Sequence, residues 1–562
     1  MYIKYDRNSR SVDSEEQTNY RLSVTGGHYR PTWLIRVSDW EKVPGQEAVD
    51  GYHALSYCWE ESGNVVKRND NSGEYDCIDK GYHCIVEYVK KRKMRNFFRH
   101  YIKKYVKYEK LLQQLCKDFQ VEYLWYDKVC IDPSDTKAKL REIKEMDKIY
   151  RNARYTIAMV PRVGSFSMND RDPRRSRIDF DIGFSRWVKR SWTLQEVMMS
   201  KRILVVGTNT SMFQYSLHTT DIPTTEDRLS TDLLDFAGQE TGSVNQVLQE
   251  AHFRTSRKPH DMIFALTNIF PQMFDDIIDI NYDTDIKATF NNFYRTIALN
   301  DLSILCFQSN RVSLDPRENT MGNYNLPSWT GVAGRHIAER VDSTTHSQLT
   351  CSIDPDTMWM YFTTRCYWDI SVEIYSSGSF GPLVNKQQIT DTKFKLPWRK
   401  KKVTRKEDVF SQKLSTITKV SINTPMTHYY GSQHNPFPSG CLLSLTEDCK
   451  EVIVLPILFT ACHPLYKSPD GGRGINVICE GYYYTYFLPV FRKCLDGTGR
   501  YKAIGVFSLG RLHMNPKCPI FGHNCFVDKP DVPPDNIKLQ EVLDNLFEKD
   551  YHDNVPKQFI IE

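Results

Sequence analysis

Tyr52-His53-Ala54-Leu55-Ser56-Tyr57-Cys58-Trp59 is a short apolar run without the strict alternation of a half-exposed strand. Such a run suits a strand buried on both faces. Comparable runs follow at 121–126, 155–160 and 203–206, with helical patterns between them. That alternation predicts a parallel sheet covered by helices. One of the helices is read at 143–153, where Ile143, Met146, Ile149, Tyr150 and Ala153 share a face. Another is read at 89–110, rich in Lys and Arg with Phe97, Phe98, Tyr101 and Tyr105 interleaved. Its basic face is either a solvated amphipathic surface or a contact for nucleic acid or acidic lipid.

Outward from this core, residues 1–45 read as a lead-in with one strand at 33–37, and residues 46–208 as the α/β domain. A helical extension is expected over 209–345, with its best periodic segments at 261–270 and 288–305. From 346 to 562 the texture is that of a separate β-rich domain, with strands at 358–361, 370–375, 441–445, 452–459, 482–491 and 501–508. A basic loop is expected near 399–435, and its run Arg399 to Lys406 reads equally as a nuclear-import tract or a charged loop.

Composition narrows the class of function. Of 562 residues, 40% are hydrophobic and 25% charged, as in ordinary globular chains. The net charge of +5 is small for this length and argues against chain-wide attraction to nucleic acid or anionic membrane. The polar start lacks an apolar segment, so no signal peptide is expected. The longest apolar stretch, 452–462, is broken by Pro456 and is far shorter than the ~20 residues of a spanning helix. Fifteen scattered cysteines, never spaced Cys-x-x-Cys, suit reduced thiols in a cytoplasmic protein, with the nucleus as the second location. His513, Cys518, His523 and Cys525 do not have a standard zinc spacing, and no metal is expected. No phosphate loop of the nucleoside-triphosphatase kind occurs.

Three blocks carry a resemblance. Leu55-Ser56-Tyr57-Cys58-Trp59 resembles the opening block of the heterokaryon-incompatibility (HET) domain family of fungi. Leu124-Trp125-Tyr126-Asp127-Lys128-Val129-Cys130-Ile131, with the following Met146 to Ala153 helix, looks like the second. Arg190-Ser191-Trp192-Thr193-Leu194-Gln195-Glu196 is similar to the third almost letter for letter. Arg257 to Asp261 and Leu326 to Trp329 look like elements that follow the domain. The chain departs from the family pattern at Glu60, at Asp132-Pro133 and at Ser191. The order of elements is also similar to TIR domains, which implies a TIR-like, flavodoxin-like sheet.

The resemblance implies a role in non-self recognition and programmed cell death, with self-association and protein partners. In enzymatic TIR domains the glutamate of the last helix cleaves NAD, and that role is carried over to Glu196 as catalytic residue. NAD is then a substrate, and no bound cofactor is expected. Ligands of open parallel sheets lie outside the carboxyl ends of the strands, where Tyr57, Trp59 and Asp127 are read; with Ser56, Arg190 and Trp192, which the resemblance adds, these are the expected binding residues. Trp192 and Glu196 are four apart, hence on one helical face. The plainer readings remain open: Thr193 and Glu196 fit a capping box, Asp127 fits a strand-end cap, and Tyr57 and Trp59 fit core positions. The rival function is a non-enzymatic scaffold, with the β-rich domain as its sensor.

Overall fold

The computed structural model describes residues 29–62, 80–89, 100–118, 121–161, 185–207, 243–274, 281–308, 324–337, 340–371, 451–464, 482–510 and 555–562, with short pieces at 65–67, 75–77, 164–167, 176–179, 211–213, 539–540, 543 and 547. Seven strands form the first sheet: β1 (Trp33–Arg36), β2 (Glu41–Pro44), β3 (His53–Tyr57), β4 (Tyr123–Trp125), β5 (Thr156–Met159), β6 (Ile203–Val206) and β7 (Ser211–Phe213). Across the sheet they lie in the order β7-β6-β5-β3-β4-β1-β2. The four central strands are parallel, and the edges on both sides are antiparallel.

Every residue of β3, β5 and β6 is buried, as expected for unalternating apolar strands between two helical layers. Two strands from the stretch read as a lead-in complete one edge of the sheet. From β3 the chain steps outward to β4, then returns past β3 to β5 and β6. The direction of winding therefore reverses between β3 and β5, the kind of switch point outside whose carboxyl ends ligands of open α/β sheets bind.

Neighbouring residues of a strand face opposite ways, and the end of β3 shows it. Ser56 reaches the helix Ser191–Met199, whereas the Tyr57 ring packs edge-on against Tyr108 of the helix Tyr108–Asp118, with centroids 5.6 Å apart. The five periodic residues of 143–153 are all buried, but they span two short helices, Thr136–Lys144 and Met146–Asn152, with Glu145 between them at φ −105° and ψ 10°.

The basic helix expected at 89–110 is a correction. Strands Tyr82–Val89 and His100–Lys107 pair antiparallel, from Tyr82 opposite Lys107 to Val89 opposite His100, and helix begins only at Tyr108. Both strands are rich in β-branched and aromatic residues, among them Ile85, Val86, Val89, Tyr101, Ile102, Tyr105 and Val106, so strand preference outweighs the helical pattern. Phe97 and Phe98 lie outside the described residues.

Helices Val244–Ala251, Asp261–Thr267 and Ile286–Asn300 follow. The last starts where the Asp285 carboxylate accepts the Ala288 N–H at 2.8 Å, and it buries Phe290, Phe293, Tyr294 and Ile297. A second, curled sheet, of eleven strands among the described residues, is built mostly from antiparallel pairs. Its strands run from Phe307–Gln308 to Lys557–Ile561 and include Met360–Thr364, Ile457–Pro464, Tyr482–Lys493 and Tyr501–Gly510. Pro456 splits the apolar 452–459 run into two strands. The strand read at 441–445, the basic tract Arg399 to Lys406 and the residues His513, Cys518, His523 and Cys525 lie outside the described residues. Among the described residues no helix is long and apolar enough to cross a membrane.

Candidate functional site

Glu196 lies in the middle of the helix Ser191–Met199 and is 5% exposed. The Ser56 hydroxyl, one residue from the end of β3, donates a short hydrogen bond to its carboxylate. Ser56 in turn accepts the indole N–H of Trp187 at 2.8 Å. Trp187 is fully buried and sits in the short helix Arg186–Lys189, which Ser185 caps by accepting the Val188 N–H. A chain of donors thus ends on one carboxyl group.

That carboxyl is out of water. Burial pushes it up to about 7, opposed by the charge of Arg190 and the Ser56 hydrogen bond, while Asp127 adds to the rise and Arg254 reduces it. Arg190 is the N-cap residue of the Glu196 helix, with an extended backbone. Its side chain donates to the carbonyl of Tyr57 and carries its charge close to Glu196, Cys58 and Asp127.

Asp127 begins the short helix Asp127–Cys130 just past β4. Its carboxylate accepts the Tyr57 hydroxyl at 2.9 Å and the Lys128 N–H at 2.6 Å. Tyr57 is wedged between Tyr108 and Tyr126, so its ring is core and its hydroxyl is a tether. Ser56 and Glu196 therefore lie on one side of the sheet and the Tyr57 ring on the other, with Arg190 spanning the strand ends between them.

Ser56, Tyr57, Asp127, Arg190 and Glu196 are thus brought together. Trp192 and Trp59 are held differently. The Trp192 indole donates to the carboxylate of Asp261, which also accepts the Tyr282 hydroxyl at 2.7 Å. Trp59 opens the helix Trp59–Ser62 and leaves 39% of its surface exposed. The capping-box expectation is a second correction. The cap is Arg190, so Glu196 lies too deep in the helix to reach it, and the Thr193 hydroxyl instead donates to the carbonyls of Trp187 at 2.6 Å and Arg190 at 2.8 Å.

Sequence reasoning missed Trp187 and Arg254, and read Asp261 only as the end of an element that follows the domain. Trp187 stands three residues before Arg190, and its type alone was a signal, because a buried indole needs an acceptor. The two others come from a different part of the chain. A cavity of about 180 Å³ lies elsewhere, between Asn291, Asn292 and Arg295 of the helix Ile286–Asn300 and Pro355 with Met358.

Residues 52–178 match the family model of the heterokaryon incompatibility protein (HET). No curated protein and no solved structure matches the chain. The HET match takes in β3, β4 and β5, with Ser56, Tyr57, Trp59 and Asp127. It ends before β6 and before the Arg190 to Glu196 helix, so the carboxylate of the candidate site comes from outside the matched HET segment. The HET domain suggests a role in heterokaryon incompatibility.

Proposed function

We propose that this chain is a HET-domain effector of non-self recognition that triggers cell death by cleaving NAD at the bond between nicotinamide and ribose, with Glu196 as the catalytic carboxylate. Support comes first from the HET match. The observation that carries the chemistry is a carboxyl group held by Ser56, one residue from the end of β3, beside the Arg190 charge and near the point where the winding reverses. The parallel strands run β4-β3-β5-β6, which is the flavodoxin-like order and favours the TIR-like reading of this sheet.

The reaction consumes NAD and water and yields nicotinamide, ADP-ribose and a proton. The bond from the ribose carbon to the ring nitrogen breaks, and its electron pair leaves with nicotinamide, which is neutral without any acid. The ribose carbon becomes cationic, the ionised Glu196 carboxylate stabilises that charge, and water adds to it. Arg190 serves the anionic part of the substrate. Ser56, Tyr57 and Asp127 shape the strand ends, and Trp59 offers an exposed ring.

A scaffold reading is favoured by one observation, that Glu196 is 5% exposed. In that reading the carboxyl is part of a buried polar network, and death follows from self-association and recruited partners. Incubation of the purified full chain with NAD separates the two. Release of nicotinamide supports the enzyme, and killing of cells without loss of NAD supports the scaffold. The protein works in the cytoplasm in either case, with the Arg399 to Lys406 tract as its route to the nucleus, and the β-rich part acts as the sensor.

A further inference from the structure

The third block of the site is held from a distant part of the chain. Arg254 follows the helix Val244–Ala251 and is 2% exposed, which is exceptional for a guanidinium. It donates from one nitrogen to the carbonyl of Arg190 and to the Thr193 hydroxyl, both at 2.9 Å. Its other nitrogens reach the Glu250 carbonyl at 3.1 Å and the Glu250 carboxylate at 3.4 Å. The neighbouring backbone joins in, since the Thr255 N–H donates to Lys189 at 2.7 Å and the Ser191 N–H donates to Thr255 at 3.1 Å. Thr255 and Arg190 thereby form a single parallel bridge. Six residues after Thr255, Asp261 accepts from Trp192 and from Tyr282.

We propose that residues 250–261 are a strap that completes the candidate site, and that Arg254 acts on Glu196 both by positioning Arg190 and by its own charge. The Arg190 carbonyl sits at the start of the Glu196 helix, and pinning it fixes the direction in which the Arg190 side chain leaves. That side chain must cross to Tyr57 to bring its charge beside Glu196. A buried cation bonded to a carbonyl and a hydroxyl is costly unless every bond is kept, so the strap holds one geometry. The working unit of the HET-type region therefore extends through Asp261, well beyond the matched segment. This inference rests on Glu196 being the site, and its test does not use NAD.

The test reads the protonation of Glu196 through folding. Thermal melts of the full chain from pH 4 to 9 are compared with those of E196Q, and the difference isolates this carboxyl. The charged and titratable groups facing it are Arg190, Asp127, Arg254 and Tyr150. The same comparison is made in R254M and R254K backgrounds. With Arg254 lost and Arg190 released, the midpoint rises by about half a pH unit or more in R254M, and R254K restores part of it. A midpoint unchanged in a folded R254M protein, with melting lowered equally at every pH, overturns the proposal and leaves Arg254 a plain brace. If R254M does not fold, R254Q, which keeps part of the hydrogen bonding, is read by the same criterion.

Discussion

The hydroxyl of Ser56 donates to the carboxylate of Glu196 across 140 positions of sequence, tying the end of the first parallel strand to the middle of the last crossover helix. Trp187 donates to the same hydroxyl, so removing the hydroxyl leaves an indole N–H buried without its acceptor. Ser56→Ala is expected to cost about 1–3 kcal/mol of stability, measured by chemical denaturation. It also raises the Glu196 midpoint, because a hydrogen bond to the charged form is lost. A loss of less than a few tenths of a kcal/mol would show that this chain of donors carries little.

Glu196 itself gives stability a defined pH dependence. Its carboxyl is pushed up from 4.5 to about 7 by burial, so between those values the folded chain keeps a proton that the unfolded chain has released. Stability from this group is fully present below about 4.5 and is lost as pH rises through about 7, by an amount on the order of 1–3 kcal/mol. Glu196→Gln removes that loss. The variant is expected to melt above wild type at pH 8 and to show a smaller advantage at pH 4. An advantage that does not change with pH contradicts the raised carboxyl.

Two buried histidines act with the opposite sign. Burial lowers His53 to about 3 and His83 to about 4, and the His83 Nε2 lies 2.8 Å from the carbonyl of Gly207. Stability held by neutral imidazoles is present above 6.5, the ordinary value, and is lost as pH falls toward 4 and 3. His83→Asn is expected to shorten that acid limb, read as a smaller drop in melting temperature between pH 7 and pH 4. An unchanged limb would exclude His83 as its source.

The strand Lys557–Ile561 lies between Met360–Thr364 and Tyr501–Gly510 and buries Phe559 and Ile561 almost completely. Each such side chain contributes roughly 1.5–3 kcal/mol on burial. Phe559→Ala should cost about 3–5 kcal/mol and, because the two sheets share one buried core, lower the whole melting transition. Two separate transitions, with only one displaced, would show the sheets unfolding independently.

The parallel strands were readable because β3, β5 and β6 are apolar on both faces and announce themselves without alternation. The Tyr82 to Lys107 hairpin was not, because its lysines and tyrosines also fit a helical wheel, and only the pairing partner decides between the two. At the site, the sequence indicated Ser56 and Asp127 at the ends of strands, Arg190 at the start of a helix and Glu196 within that helix. It did not indicate that Ser56 and Tyr57 diverge, although the alternation of a strand requires it. The bond of Trp192 to Asp261 was not legible because the two are 69 positions apart, and no local pattern reports such a bond. Arg254 was hidden for the same reason.

If the Glu196 carboxylate cleaves NAD, nicotinamide is released, and that release can be followed without any assay of cell death. Purified full-length wild type, Glu196→Gln and Glu196→Ala are incubated with NAD at several pH values, with melts to show that each is folded. Wild type should release nicotinamide at a rate that rises with pH through about 7, as Glu196 ionises. Glu196→Gln keeps the shape and the Ser56 contact but not the charge, and its rate should fall by ~100-fold or more at every pH. A folded Glu196→Gln protein that releases nicotinamide as fast as wild type, or a wild type that kills cells and leaves NAD intact, contradicts the account.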